Sequence, residues 1–239
     1  MPVITFFQTK GGTGKTTSAF LLAELLGKSN TVTVIEADQN EPFKEWLAAG
    51  GEDHGFNIVP AFEEDEIVQA IHKASTQSAF VIVDCEGSAN LTAARAASVS
   101  DLVVVTSNGK PLDQRHAAKA IKYVKDVGKR LQRDIPIRVL LTMQPAAARS
   151  RTLKQAEEDM REHGIEVFNT QLIMRDAFAA IFGYCTTLFK LDPKKVNEPS
   201  KAYFNAKVYA LEVARTLKAI EAASELDSKA PTKEVRAVV

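Results

Sequence analysis

Residues 9–17 read Thr9-Lys10-Gly11-Gly12-Thr13-Gly14-Lys15-Thr16-Thr17, between the apolar run Val3–Phe7 and a stretch at helical spacing over 15–27. A glycine-rich turn between a strand and a helix directs backbone N–H groups and the positive end of the helix dipole at a phosphate group. At this spacing Lys15 can reach the β- and γ-phosphates of a nucleotide, and the Thr16 hydroxyl can bind Mg²⁺. The stretch therefore predicts a nucleotide phosphate site formed by residues 10–17.

Short apolar runs alternate with stretches at helical spacing along most of the chain. The predicted strands are 3–7, 32–35, 57–60, 80–83, 102–106, 137–142 and 166–168, and the predicted helices are 15–27, 64–77, 90–98, 113–132, 150–163, 175–182 and 200–224. Several strands are apolar throughout, which is typical of parallel strands covered on both faces. We therefore expect an α/β fold with a single doubly wound, mostly parallel sheet over residues 1–224. Residues 225–239 lack periodicity and are expected to form a disordered tail.

Composition is that of an ordinary globular protein, with 45% hydrophobic and 25% charged residues in a chain of 239. The net charge is zero, but residues 1–120 carry 9 Lys+Arg against 15 Asp+Glu (−6) and residues 121–239 carry 21 against 15 (+6). The basic half could meet an anionic partner, although both sets of charges could equally be solvated helix faces. Two cysteines, no signal-peptide pattern and no apolar run of about 20 residues favour a soluble, cytoplasmic protein without membrane contact.

The phosphate loop departs from the general P-loop pattern at two positions. Thr9 stands where that pattern has its first glycine, and a second lysine, Lys10, precedes the glycine pair. This arrangement resembles the deviant Walker A motif of the ParA/MinD family of P-loop ATPases. The resemblance implies ATP hydrolysis with Mg²⁺ in a nucleotide-sandwich homodimer, in which Lys10 contacts the phosphates held by the partner subunit. A cation supplied in this way would act like an arginine finger, because it lies where transition-state charge develops.

Two later motifs resemble carboxylate motifs of the same family. The segment 34–39 resembles the family's second motif, which implies that Asp38 positions the attacking water and approaches Mg²⁺. Glu36 replaces the first aspartate of that motif. It could belong to the nucleotide site, or it could simply be a carboxylate at the end of a strand. The run Phe80–Asp84 resembles a Walker B strand, which implies that Asp84 holds Mg²⁺.

Two further residues are candidates for contacts with the nucleotide. The segment 85–88 resembles the loop of small ParF-like plasmid-partition ATPases, in which Gly87 would donate its backbone N–H to the γ-phosphate. The segment 140–145 lies where family members contact the base, and it lacks the Asn-Lys-x-Asp sequence by which GTPases recognise guanine. This absence favours ATP, with Gln144 as a candidate adenine contact.

Three branches of the family carry features that are not found in this sequence. Its two cysteines do not have the spacing of an iron–sulfur cluster, its end has no amphipathic membrane helix, and too few residues precede the loop for a helix-turn-helix extension. The chain is thus similar to short ParA proteins, with some likeness to the T-DNA-associated protein VirC1. That similarity implies a nucleoid-associated DNA-segregation ATPase, stimulated by a small partner protein, whose ATP-bound dimer binds double-stranded DNA without sequence preference. The candidate DNA-binding residues are Arg149, Arg151, Lys154, Arg175, Lys190, Lys194, Lys195 and Lys201.

Two other functions remain open on the sequence. A ParA-like ATPase could instead position a protein cargo, such as a chemoreceptor array or a carboxysome, with the same motifs. A metabolic ligase or kinase could use the same phosphate loop, but no small-molecule pocket can be identified in the sequence.

Overall fold

A computed structural model describes residues 1–51, 54–146 and 151–229 of the chain. The strands are β1 (Val3–Phe7), β2 (Val32–Ala37), β3 (Asn57–Pro60), β4 (Phe80–Cys85), β5 (Leu102–Ser107), β6 (Ile137–Leu141) and β7 (Glu166–Val167). The helices are α1 (Lys15–Gly27), α2 (Pro42–Ala48), α3 (Glu64–Gln77), α4 (Leu91–Ser98), α5 (Pro111–Leu131), α6 (Arg151–Glu162), α7 (Asp176–Gly183) and α8 (Pro199–Lys229), with a 3₁₀ turn at Leu188–Lys190.

The strands form one seven-stranded sheet in the order β3-β2-β4-β1-β5-β6-β7, and every neighbouring pair is parallel. The predicted α/β fold with a doubly wound parallel sheet is confirmed. Because all the strands run the same way, their carboxyl ends lie along one edge. The loops that follow β1, β2, β4, β5 and β6 meet there, so the motifs of the sequence are brought together at the centre of that edge.

Helices cover both faces of the sheet. Alternate residues of a strand point to opposite faces, so Phe6 packs in one core cluster and Phe7 in the other. Face A is the face with Phe6, covered by α1, α2, α7 and α8, and face B is the face with Phe7, covered by α3, α4 and α5. On face A the ring of Phe20 lies at the centre of an aromatic group, with Trp46 at 4.9 Å and Phe43 at 5.9 Å between centroids.

The helix α2 and the 3₁₀ turn were not predicted. In α2 the first residue is Pro42, whose fixed φ suits the first helical position, and the backbone N–H of Phe43 donates to the carboxylate of Glu36 at 2.5 Å. The helix is further held on face A because Trp46 Nε1 donates to the carbonyl of Ile181 at 3.0 Å. These contacts are made with β2 and with α7, so a seven-residue helix forms where local periodicity indicates none.

The last helix is longer than predicted. Residues 225–229, assigned to a disordered tail, continue α8 to Lys229, whereas residues 230–239 lie outside the described part of the chain. The segment after residue 224 contains Glu225, Leu226 and Lys229 and no glycine or proline before Pro231. Good helix formers therefore extend the helix beyond the point where its apolar spacing ends. Among the described residues no helix combines the length and the apolarity needed to cross a membrane.

Candidate nucleotide-binding site

The phosphate loop of residues 10–17 links β1 to α1 in a conformation that depends on two glycines. Gly12 and Gly14 have φ of 73° and 85°, values that side chains other than glycine rarely adopt. Gly14 is the N-cap of α1, and the first turn of that helix contains no acidic residue. The unpaired N–H groups at the start of α1 and its positive dipole end therefore remain able to bind an anion. Lys15, only 6% exposed, begins the helix directly beneath the loop.

Buried threonines at the ends of β5 and β6 hold the loop in place. The hydroxyls of Thr13 and Thr106 are 2.8 Å apart, and the hydroxyl of Thr142 donates to the carbonyl of Thr13 at 2.7 Å. Gln8 Nε2, just before the loop, donates to the carbonyl of Thr106 at 2.6 Å. Thr106 and Thr142 were not predicted as site residues. Each is a polar residue at the end of an apolar strand, which is the signal that could have identified them.

Asp84 lies at the carboxyl end of β4, opposite Phe6 on one neighbouring strand and Glu36 on the other. It is fully buried, and neither carboxylate oxygen has a hydrogen bond of normal geometry. Burial raises the pKa of Asp84 from 3.8 to about 7, although the nearby Thr16 hydroxyl and Lys15 ammonium favour its ionised form. A buried carboxylate without a hydrogen bond of normal geometry is costly, so the position favours a cation or a proton.

The surroundings of Asp84 suit Mg²⁺. Carboxylate and hydroxyl oxygens are the ligands that Mg²⁺ prefers, and it is usually held by one or two such groups together with phosphates and water. Asp84 and Thr16 provide this donor set beside the phosphate loop. Among the described residues there is no group of three or more His, Cys, Asp or Glu side chains suited to a metal, so these two side chains would need phosphate oxygens to complete the coordination.

Asp38 and Glu36 occupy different environments although they are two residues apart. Asp38 begins the loop after β2 and is partly exposed, with its Oδ1 accepting from the backbone N–H and side-chain amide of Asn40 at 2.9 and 2.8 Å. Glu36 is fully buried, and its Oε1 accepts from the backbone N–H of Phe43. Burial raises the pKa of Glu36, whereas the hydrogen bonds from the start of α2 favour the ionised form. Glu36 thus caps α2, and Asp38 is the carboxylate that faces the open edge.

Gly87, in the loop after β4, lies directly against the phosphate loop. A Cβ atom at this position would come within 2.8 Å of the backbone nitrogen of Gly11 and within 3.0 Å of the carbonyl carbon of Lys10. The loop after β4 therefore packs against the phosphate loop at Gly87, and only glycine permits so close an approach. The hydrogen bond to a γ-phosphate stays a prediction.

Gln144 is 2% exposed and is tied to the protein. Its Nε2 donates to the carbonyls of Asn108 and Thr142 at 2.9 and 2.6 Å, and its backbone pairs with Leu172 and Met174. An adenine contact through that nitrogen would require one of these bonds to break. The adenine contact therefore stays a prediction, and the observed bonds join the loops after β5 and β6.

The predicted DNA-binding residues are divided between the two faces of the sheet. Arg149 lies outside the described residues, and the side chain of Arg151 is not described. Lys154 is exposed on α6, whose Met160 packs on face B. The others lie on face A, in the segment from α7 to the start of α8: Arg175, Lys190, Lys194, Lys195 and Lys201. Among these, Arg175 and Lys201 both contact the carboxylate of Glu198, whereas Lys194 and Lys195 are exposed.

Comparison with known protein families gives one match over nearly the whole chain: the model of the VirC1 protein family matches residues 1–222. The protein ParA of Rhizobium radiobacter is 31% identical over 218 residues, which cover 91% of this chain and 98% of ParA. The maintenance of carboxysome distribution protein A of Halothiobacillus neapolitanus is 24% identical over 171 residues, covering 71% and 78% of the two chains.

Solved structures share the architecture of this chain. The ParA family ATPase of Chlorobium tepidum superposes with a TM-score of 0.67 at 16% identity, covering 88% of this chain and 97% of that one. A variant of McdA from Cyanothece in complex with ATP gives a TM-score of 0.67 at 14% identity, covering 86% and 96%. At these identities the likeness shows the fold alone.

Proposed function

The chain belongs to the VirC1 family, within the ParA/MinD group of P-loop ATPases, and from this premise we propose that it hydrolyses ATP in a homodimer that segregates DNA. The observation that supports the activity best is Asp84, a fully buried carboxylate that lies beside Thr16 and Lys15 and has no hydrogen bond of normal geometry. A site that leaves such a group unsatisfied is completed by a bound cation, and the glycine-rich turn above it is built for phosphate.

The roles of the chain's own residues follow from where they lie. The loop N–H groups of residues 10–17 bind the phosphates, Lys15 neutralises them, and Thr16 with Asp84 would hold Mg²⁺. When bound, Mg²⁺ neutralises the charge that develops on the phosphate oxygens. Asp38 faces the open edge, and its Oδ1 is held by Asn40, so its Oδ2 is the oxygen that can accept a hydrogen bond from water and orient it. Attack of that water on the γ-phosphorus breaks the bond to the bridging oxygen and releases ADP and phosphate.

A dimer through the nucleotide edge is supported by apolar side chains around the loop. Leu91 and Leu112, at the starts of α4 and α5, are 54% and 58% exposed. Both helices begin at the carboxyl edge of the sheet, as does the phosphate loop. Exposed leucines next to a polar site are typical of a surface that a partner covers, so a second subunit placed there would bury them and bring its own Lys10 to the nucleotide.

DNA is the proposed cargo because the VirC1 and ParA relatives extend over most of the chain. The exposed cations Lys194 and Lys195 on face A and Lys154 on face B are the proposed contacts. A second candidate is the positioning of a protein cargo, which the similarity to the carboxysome distribution protein favours. The ATPase cycle would be the same in both cases, and a small stimulating partner is proposed for either.

ATP turnover and DNA binding test the proposal together. Lys15→Ala is expected to abolish nucleotide binding, whereas Lys10→Ala should bind nucleotide as a monomer but neither dimerise nor turn it over. Lys125→Ala, an exposed lysine on α5, is the matched control. Normal turnover in Lys15→Ala would refute the site.

Fluorescence titration of labelled double-stranded DNA with ATP, ADP and no nucleotide, at several salt concentrations, distinguishes the cargoes. Binding should require ATP and weaken with salt, with a log–log slope of roughly −0.9 per phosphate contacted. Replacing Lys194 and Lys195 by alanine should reduce the magnitude of that slope by about 2, and replacing Lys154 by about 1, if each contacts one phosphate. Turnover without DNA binding in any nucleotide state would favour the protein cargo.

A further inference from the structure

Lys10, the lysine expected to act on the partner subunit, is bound within its own chain. Its Nζ donates to Oδ1 of Asp113 at 2.6 Å, and the side chains of the two residues are 39% and 3% exposed. The ion pair joins the phosphate loop to the first turn of α5, which lie far apart in the sequence but side by side at the carboxyl edge of the sheet. In this arrangement the ammonium group is bound by a carboxylate of its own chain.

Asp113 is the fixed member of the pair. It is buried in the first turn of α5, where the helix dipole favours a negative charge even without a counterion. The loop that leads into this turn is also held, because the backbone N–H of Lys110 donates to Asn108 Oδ1 at 3.0 Å and Gln114 Nε2 donates to the carbonyl of Gly109 at 2.8 Å. The carboxylate therefore keeps its position when Lys10 leaves.

Lys10 is the mobile member. It is partly exposed, and it is followed by Gly11 and Gly12, at which an added Cβ would meet no atom within 4 Å. The residue before it is anchored, since the hydroxyl of Thr9 lies 3.2 Å from Nδ1 of His116, one turn along α5 from Asp113. The lysine side chain can thus move while Thr9 stays anchored, and the phosphate loop can keep its phosphate-binding shape.

We propose that Asp113 is a positioning residue that keeps Lys10 bound within its own chain in the free subunit and releases it only to a nucleoside triphosphate bound by the partner. This inference rests on the proposed function, in which Lys10 acts in trans. Formation of the dimer must break two such ion pairs, one in each subunit. A triphosphate with its γ-phosphate presents more negative charge to the incoming ammonium group than the single carboxylate of Asp113. A diphosphate lacks the group nearest the interface, so the pair stays closed with ADP, and dimerisation becomes selective for ATP.

Analytical ultracentrifugation of the full chain with ATP, ADP or no nucleotide, in the presence of Mg²⁺, tests the inference. Asp113→Asn and Asp113→Ala should dimerise on ATP at protein concentrations at least tenfold lower than the wild type, and both should dimerise measurably on ADP. Asp126→Asn, which removes an exposed carboxylate farther along α5, should behave as the wild type does. In the double variant Lys10→Ala/Asp113→Asn the gain should vanish, because no lysine remains to be released.

Each outcome is decisive for one of the two hypotheses. One result is that the wild type dimerises on ATP while Asp113→Asn and Asp113→Ala dimerise equally or more weakly, although both bind nucleotide as the wild type does. That result would leave the proposed function standing and overturn the role of Asp113. A gain that persists in the double variant would also overturn it. If only the Asp113 variants dimerise, the ion pair is strong enough to keep the wild type monomeric, which supports the inference. If neither the wild type nor any variant dimerises on ATP, the proposed function and the inference are refuted together.

Discussion

Replacement of Asp84 by asparagine is expected to stabilise the nucleotide-free protein at neutral and alkaline pH, although it removes the carboxylate proposed to hold Mg²⁺. Burial raises the pKa of this group from 3.8 to about 7. Because the folded pKa exceeds the unfolded one, folding takes up a proton, and the free energy of unfolding falls as the pH rises between these values. At 1.36 kcal/mol per pKa unit, a difference of about 3 units costs about 4 kcal/mol above pH 7, and asparagine avoids that cost.

Thermal unfolding in the presence of EDTA at pH 5 and pH 8 measures the effect. For a chain of this size about 2–4 °C corresponds to 1 kcal/mol, so Asp84→Asn should raise the Tm by roughly 10 °C at pH 8 and by less than half of that at pH 5. The variant should also lose Mg²⁺-dependent ATP turnover. Asp126→Asn, which replaces an exposed and ion-paired carboxylate, should give no gain at either pH. A gain in Tm that does not depend on pH, or a loss at pH 8, would refute the reasoning that a buried, unpaired charge at Asp84 destabilises the empty site.

Three further substitutions test single contacts. Gly87→Ala should weaken ATP binding at least tenfold in a fluorescence titration, because its Cβ would come within 2.8 Å of the phosphate loop, whereas Gly183→Ala, with open space around it, should bind normally; equal affinities would contradict the close approach. Glu36→Ala should lower the free energy of unfolding in urea by about 1–3 kcal/mol because α2 loses its buried cap, and unchanged stability with lost turnover would instead make Glu36 a site carboxylate. Thr142→Val should raise the Kd for ATP about fivefold to tenfold, since a phosphate-loop carbonyl loses a hydrogen bond worth about 1 kcal/mol, and an unaltered Kd measured by calorimetry would show that the loop does not need it.

Elements with a clear local sequence pattern were predicted well, and the helix that depends on tertiary contacts was not. The bounds of β1, α1 and α3 agree with the sequence patterns, because each has an apolar run or an apolar face bounded by glycine or polar residues. The helix α2 was missed since its cap, Glu36, comes from β2 and its apolar side chains pack on Phe20 of α1. Its one local signal is Pro42 at the first helical position, which by itself is weak.

The residues of the phosphate site were predicted from motifs, but their environments were not. Sequence spacing places Lys15, Asp38 and Asp84 after strands whose carboxyl ends must share an edge if the sheet is parallel. It does not say that Asp84 lacks a hydrogen bond of normal geometry, or that one oxygen of Glu36 caps α2 while Asp38 is partly exposed. These differences arise from burial and from the direction of side chains, which depend on every element packed around them.

The sequence by itself determined the class of fold, the family and the phosphate loop, because glycine, lysine and threonine at fixed spacing are required by the chemistry of phosphate binding in any surroundings. Only the tertiary structure decided where the second lysine of that loop points. Lys10 and Asp113 are more than one hundred residues apart, and they meet because β1 and β5 are neighbours in the sheet, so that the loop after one lies beside the helix after the other. A pairing of this kind depends on strand order, which the periodicity of the sequence does not encode. For the same reason the six candidate cations whose side chains are described are divided between two faces of the sheet.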